Sequence, residues 1–192
     1  MLMKNDIRTE IIFLLDKSVS MAKIRRECIS GYCRFLQKQK EVSPNAVITA
    51  VFFNEKVQTV HDRIPIRDAA PITKKDYDPK GSTAMLDAIG STVEHIIEEQ
   101  AKEQNPPKIT LLAIMTDGLD NSSTKYTYPQ VRKLIKEREK AGWQCIFIAD
   151  NDEAFIDALR IGIPLSCTVK ISRSIFNFRT LLRTITELIY RK

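Results

Sequence analysis

Short apolar runs alternate with longer amphipathic stretches along almost the whole chain. The runs are rich in Ile, Val, Leu and Phe, which is typical of strands buried on both faces, and they lie at 10–16, 45–53, 108–117 and 145–149. The stretches between them carry apolar residues at helical spacing. We therefore predict helices over about 21–41, 83–103, 129–141, 152–161 and 174–190, and a further strand over 166–171.

Residues 56–64 alternate apolar and polar side chains after a tight turn at 54–55, which predicts an antiparallel strand at a sheet edge. Three prolines make 65–82 an irregular surface connection. Alternating strands and helices favour right-handed crossovers. We expect one doubly wound, Rossmann-like α/β domain over 8–190, with a six-stranded, mostly parallel sheet, one antiparallel edge strand and helices on both faces. Gly90 is predicted to let its helix approach the sheet closely, and Gly142 to end a helix in the left-handed conformation.

The composition narrows the class of protein. The 192 residues carry a net charge of +6, but Lys and Arg interleave with Glu, and no aromatic pattern suits base stacking, so we do not expect a nucleic-acid partner. No run is long enough to span a membrane, and the first residues are polar, unlike a secretory signal. The four cysteines show no zinc spacing; we interpret them as reduced, buried thiols, which favours a cytoplasmic location.

The six glycines are too widely spaced for a dinucleotide or phosphate-binding loop, since no two lie within five residues of each other. Small oxygen-bearing side chains instead gather where predicted strands end and helices begin: Asp16, Ser18, Ser20, Thr83 and Asp117. In doubly wound sheets ligands bind at this edge. Two carboxylates and three hydroxyls could supply much of the oxygen shell that Mg²⁺ requires, directly or through water.

These residues resemble the metal-ion-dependent adhesion site of the von Willebrand factor A (integrin I-like) family. The family's pattern is D-x-S-x-S, then a threonine after a glycine at a helix start, then T-D-G at a strand end, and all three parts are present in that order. The resemblance covers about residues 8–190. It implies a binding module without turnover, in which Mg²⁺ or Mn²⁺ is held by the two serines and the threonine, with the aspartates often acting through water. A Glu or Asp of a partner protein completes the shell, and the match looks closest to stand-alone cytoplasmic members from bacteria.

One alternative is a Mg²⁺-dependent phosphatase or phosphoryl-transfer enzyme with Asp16 as its nucleophile. Sites of that kind place a second acid two residues later, where this chain has Ser18, which cannot serve as the proton donor in the same way. Lys17 lies beside the proposed metal in sequence. His61 and His95 are isolated, and we do not expect either to be catalytic.

Several other polar residues lie near the candidate site in sequence. Asp87 is predicted to support its own helix rather than to bind metal. Asp120 and Asn121 are explained equally well by a polar turn or by a contact at the rim of the site. Residues 150–153 are interpreted as a helix cap. Three lysines of the loop before Thr83 are interpreted as solvated, although they could line the approach of an acidic partner: Lys74, Lys75 and Lys80.

Overall fold

A six-stranded sheet organises the chain in the computed structural model, which describes residues 8–149 and 152–170. The strand order is β3-β2-β1-β4-β5-β6, and every neighbouring pair is parallel except β2 and β3. The strands are β1 (Thr9–Asp16), β2 (Val47–Phe53), β3 (Val57–Pro65), β4 (Ile109–Met115), β5 (Gln144–Ala149) and β6 (Thr168–Lys170). The predicted doubly wound sheet with one antiparallel edge strand is confirmed.

The four described α-helices are α1 (Arg25–Val42), α2 (Met85–Ala101), α3 (Tyr128–Lys140) and α4 (Asp152–Arg160). Two predicted boundaries differ from those of the structure. The helix expected from Met21 begins as a 3₁₀ helix, Val19–Ile24, before α1, and the strand expected over 166–171 is shortened by a 3₁₀ turn at Leu165–Cys167. The helix predicted over 174–190 lies outside the described residues.

The central strands are apolar throughout because both of their faces are covered. Alternate residues of β1 point to opposite sides, so Phe13 packs with Tyr32 and Phe35 of α1, while Leu14 joins the apolar faces of α2, α3 and α4. All eight residues of β1 are buried. Within residues 8–149 and 152–170, no helix is both long enough and apolar enough to cross a membrane.

The amino-terminal edge of the sheet holds a charged cluster. Glu10 is fully buried, and the Arg63 guanidinium donates to it from 2.6 Å and to Glu103 from 2.6 Å. Arg63 itself adopts a positive φ of 48° within the irregular register of β2 and β3. Gln100 of α2 also donates to Glu10. A buried carboxylate is tolerated here because charged and polar donors surround it.

Gly90 allows the close approach of a loop side chain, which the sequence did not predict; its predicted role in packing the helix against the sheet stays a prediction. A Cβ added to Gly90 would lie 2.3 Å from the ring of Tyr126. Tyr126 is held at its backbone and at the tip of its side chain, because its backbone N–H donates to Asp87 and its hydroxyl donates to Glu94. Gly142, by contrast, has the expected left-handed φ of 92° just after α3.

Gly90→Ala should therefore destabilise the protein although alanine favours helices. The overlap with Tyr126 should cost about 1–3 kcal/mol, which exceeds the roughly 1 kcal/mol gained in helix propensity. Urea unfolding measures the difference. In a Tyr126→Ala background the same substitution should become stabilising, and a destabilisation of equal size in both backgrounds would contradict this account.

Candidate metal site at the carboxyl edge

The candidate site lies where the strand order reverses between β1 and β4. Leu15 pairs with Met115, so the next residues, Asp16 and Thr116, leave the two central strands side by side. Asp117 follows at once. Ligand sites of doubly wound sheets form at such a switch point, because the connections from the two strands depart to opposite sides.

Asp16 is a fully buried carboxylate with ordered partners. Its Oδ1 accepts from the backbone N–H of Ser18 at 2.6 Å and its Oδ2 from the Thr116 hydroxyl at 2.6 Å. The hydroxyl of Tyr77, itself buried, donates to the Asp16 carbonyl oxygen at 2.6 Å. Burial raises the pKa of Asp16 to about 6 despite the hydrogen bonds from Thr116 and Ser18, and nearby Asp117 raises it further. A cation at this edge would favour the ionised form.

A chain of short contacts connects the two serines to Asp117. The hydroxyl oxygens of Ser18 and Ser20 are 3.0 Å apart, and Ser20 Oγ donates to Asp117 Oδ1 at 2.6 Å. Ser18 is the residue before the 3₁₀ helix, and its carbonyl accepts from Met21 N–H. The tight turn after β1 thus holds Ser18 and Ser20 beside Asp117, which follows the neighbouring strand β4. This agrees with the expectation that alternate residues of the turn point the same way.

Thr83 reaches the same place from the loop before α2. A Cβ added to Gly118 would lie 3.6 Å from Ser20 Oγ and 3.8 Å from Thr83 Oγ1, so both hydroxyls face the same glycine. Backbone hydrogen bonds join the two loops, from Val19 to Gly81 and from Lys80 to Lys17. The structure therefore brings all five sequence-predicted residues to one edge of the sheet.

Lys23, which was not among the residues predicted from the sequence, is a cation that faces this cluster. Its Nζ lies 2.8 Å from Asp117 Oδ2. Lys17, whose charge the sequence placed beside the site, instead donates to Gln58 of β3 at 2.5 Å. The signal that could have revealed Lys23 is its spacing from Ser20, because side chains three residues apart eclipse on a 3₁₀ helix.

The loop after Asp117 lacks helix and strand, yet most of its backbone N–H groups are engaged. Every backbone N–H from 120 to 127 donates, to acceptors that include Thr83, Asp87 and Asp157. Asp87 alone accepts three of these bonds, from 124, 125 and 126. The loop is therefore ordered by side chains projecting from α2 and α4.

These contacts answer the open questions about the neighbouring acids. Asp87 contacts no predicted metal ligand, and it supports the loop more than its own helix, which differs from the expectation. Asn121 accepts from Thr83 N–H at 2.8 Å and Asp120 from Leu86 N–H at 3.0 Å. Asp120 therefore satisfies a donor that α2 leaves open at its first turn, and Asn121 binds the loop just before that helix.

The remaining candidates lie apart from the cluster. His61 contacts the Ala70 carbonyl and His95 contacts Asp62, so neither touches a predicted ligand. The three loop lysines at 74, 75 and 80 are exposed, as expected of a solvated loop. All four cysteines are free, but Cys33 and Cys167 are only half-buried, contrary to the expectation. Residues 150 and 151 of the predicted cap lie outside the described residues.

The donor set suits a hard divalent cation. Each of the five predicted ligands offers oxygen, and all but Ser20 are buried to at least nine-tenths. In the part of the chain that the structure describes, no three His, Cys, Asp or Glu side chains form a metal cluster, so hydroxyls would have to complete the shell. Oxygen-only sets of this kind fit Mg²⁺ or Mn²⁺ better than soft metals.

Comparison with solved structures identifies the fold. The vWF domain of the type V pili tip protein Mfa5 from Porphyromonas gingivalis superposes with a TM-score of 0.67 at 10% identity, covering 97% of both chains. Manganese-loaded Plasmodium vivax TRAP gives a TM-score of 0.69 at 14% identity, over 96% of this chain and 74% of that one. This chain therefore has the von Willebrand factor A fold.

Proximal thread matrix protein 1 from the mussel byssus is also similar, with a TM-score of 0.69 at 20% identity over 95% of this chain. A second structure of that protein, at 18% identity, has a zinc-occupied MIDAS motif. This chain spans about half the length of the mussel protein, 48%, and 60% of a Streptococcus sanguinis minor pilin, PilB. No family model and no curated protein sequence matches the chain.

Asp87→Asn should lower the free energy of unfolding by about 1–3 kcal/mol at neutral pH, because three loop N–H groups lose a charged acceptor. Burial alone would raise the pKa of Asp87, but those backbone donors lower it below 3.8. The stabilisation is therefore complete above the unfolded-state pKa and is lost as pH falls through the folded-state value.

Urea unfolding at a series of pH values measures this difference. The gap between Asp87→Asn and the wild type should be constant near neutrality and should narrow below pH 3.8. Asp68→Asn is the control, because that exposed carboxylate forms only a 3.8 Å contact with neighbouring Arg67. A difference in unfolding free energy that grows in acid would contradict the stabilising role of the Asp87 carboxylate.

Proposed function

We propose that this chain is a metal-dependent protein-binding module that uses Asp16, Ser18, Ser20, Thr83 and Asp117 to hold Mg²⁺ or Mn²⁺. The observation that carries the proposal is the convergence of these oxygens, from three separate chain segments, at the switch point of the sheet. The zinc-occupied and manganese-loaded relatives of the same fold support it.

The bound cation would supply an electrophilic point that attracts an anionic oxygen. This chain's own residues set how strong that attraction is. Only two carboxylates oppose the charge of the metal, and one of them, Asp117, is shared with Lys23. Charge neutrality is therefore incomplete until a further anion arrives. We propose that this anion is a Glu or Asp side chain of a partner protein.

The rim of the site fits a protein partner. Val19, between the two serines, and Leu119, two residues after Asp117, have 65% and 42% of their surface exposed. Apolar side chains beside a charged centre are typical of surfaces that bury contact area around one polar interaction. We further propose a single domain over 8–190 and a cytoplasmic location for a bacterial protein, on the sequence resemblance and the free thiols.

The phosphoryl-transfer alternative is less well supported. Both carboxylate oxygens of Asp16 already accept hydrogen bonds, and the side chain is fully buried, whereas a nucleophile needs an accessible oxygen. Ser18, at the position where a second acid would act, contacts Ser20. No acidic side chain near Asp16 is placed as a proton donor among the described residues, apart from Asp117, which Ser20 and Lys23 contact.

Mg²⁺ or Mn²⁺ should stabilise the protein against heat. At a metal concentration one hundred times the dissociation constant the gain is roughly 2.7 kcal/mol, which corresponds to about 5–10 °C for a chain of this length. A chelator should reverse the shift. Differential scanning calorimetry measures the melting temperature, and isothermal titration calorimetry measures the affinity directly.

Thr83→Ala and Asp117→Ala should abolish the metal-induced shift. The matched control is Thr92→Ala, which removes an equally buried threonine hydroxyl from the same helix region without touching the site. Circular dichroism checks that each variant is folded. An identical metal response in wild type, Thr83→Ala and Asp117→Ala would show that the metal binds elsewhere.

The protein should not hydrolyse a generic aryl phosphate in the presence of Mg²⁺, because the residues that the structure describes at this edge include no accessible nucleophile and acid pair. Release of the phenolate is followed by absorbance over many turnovers. Sustained release that Asp16→Asn eliminates would instead support the phosphatase alternative. Release that survives this substitution would indicate a contaminating enzyme.

A further inference from the structure

A basic groove opens directly beside the candidate metal site. It encloses about 490 Å³ and is lined by Ala22, Lys23, Arg25, Arg26, Glu27 and Lys74. Four of these side chains are cationic and one is anionic. The function proposed above does not use this groove. From the sequence, Lys74 is interpreted as part of a solvated loop that could also line the approach of an acidic partner.

Lys23 connects the groove to the metal site. It lines the groove, and its ammonium lies 2.8 Å from Asp117 Oδ2. The Lys23 side chain keeps 41% of its surface exposed, whereas that of Asp117 keeps 1%. An anion in the groove can therefore reach the ammonium from the solvent side while Asp117 holds it from the protein side.

The other cations differ in how firmly they are held. Arg25 is fixed, because its guanidinium donates to the carbonyl oxygens of Tyr77 and Lys74 and lies 3.4 Å from Asp78. Arg26 and Lys74 are exposed, and neither side chain forms a hydrogen bond or ion pair with the described residues. Arg25 is thus a fixed cation of the groove, whereas Arg26 and Lys74 are available to an incoming ligand.

We propose that this groove binds acidic residues of the same partner protein whose Glu or Asp engages the metal, so that the preferred partner segment carries several acidic residues in succession. This inference rests on the proposed function. Its physical basis is charge complementarity: the groove is cationic, it adjoins the electrophilic centre, and Lys23 belongs to both.

An acidic protein segment fits this groove better than nucleic acid does. Proteins that bind single-stranded nucleic acid combine a cationic groove with aromatic side chains on which bases stack, and the residues that line this groove include no aromatic one. Glu27 also faces the groove, and a single carboxylate among the cations would repel a continuous phosphate backbone more than separate acidic side chains, which can avoid it.

Two synthetic Gly/Ser peptides of equal length test the proposal. One carries a single Glu, and the other carries the same Glu followed by two Asp residues. In Mg²⁺ at low salt, the triply acidic peptide should bind roughly 3- to 30-fold more tightly by fluorescence anisotropy, and the preference should weaken as salt is added.

The double variant Arg26→Ser/Lys74→Ser should remove most of this preference and leave the affinity for the single-Glu peptide unchanged. The matched control is Lys133→Ser/Lys140→Ser. Those lysines line a second basic groove, of about 360 Å³, on α3. Both double variants lower the net charge by two, so a preference that falls equally in both would reflect bulk charge and would overturn the proposal.

The two proposals fail in different ways. Loss of single-Glu binding in chelator tests the metal, while the ratio of the two peptide affinities tests the groove. Equal affinities for the two peptides, with metal-dependent binding intact, would overturn the groove alone. An oligonucleotide that binds more tightly than the triply acidic peptide, and that Arg26→Ser/Lys74→Ser releases, would overturn it in favour of nucleic acid.

Discussion

The carboxyl edge of this protein depends on keeping one ionisable carboxylate, Asp16, inside an apolar sheet. Burying a charge costs several kcal/mol unless donors surround it. The chain meets this cost with Thr116 from the neighbouring strand and with the turn that follows β1. Those same contacts fix the direction in which the turn leaves the strand. The positions of Ser18 and Ser20 are therefore a consequence of how Asp16 is accommodated.

Separate segments meet at this edge because each is tied to another by specific bonds. The loop before α2 joins the turn after β1 through backbone hydrogen bonds between Val19 and Gly81 and between Lys80 and Lys17. The loop after β4 joins α2 through Asn121 and Asp87. Distant parts of the sequence thus share one local structure, and a change in any of them alters the geometry of the hydroxyl groups.

The sequence predicted the sheet well and the site's surroundings less well. Buried parallel strands are apolar in runs, so their number and order of occurrence could be read directly, and Asp16 and Asp117 were found at strand ends. The role of Asp87 could not be predicted, because its partners lie almost 40 residues away and are backbone groups without a sequence signature. Lys23 was missed because a 3₁₀ turn, rather than an α-helix, sets its direction. The contact of Gly90 with Tyr126 was missed because Tyr126 comes from an irregular loop.

The hydrogen-bonded loop from Asp120 to Thr127 bears on how fast and how tightly a ligand can be captured. A segment that must be ordered upon association subtracts its lost conformational freedom from the affinity, and that cost falls on every residue immobilised. Here the backbone donors are already engaged within the fold, and Leu119, an exposed apolar residue, directly precedes them. The entropic penalty of association should consequently be confined to a few side chains, and long-range attraction by the basic surface can speed the encounter without a slow rearrangement afterwards.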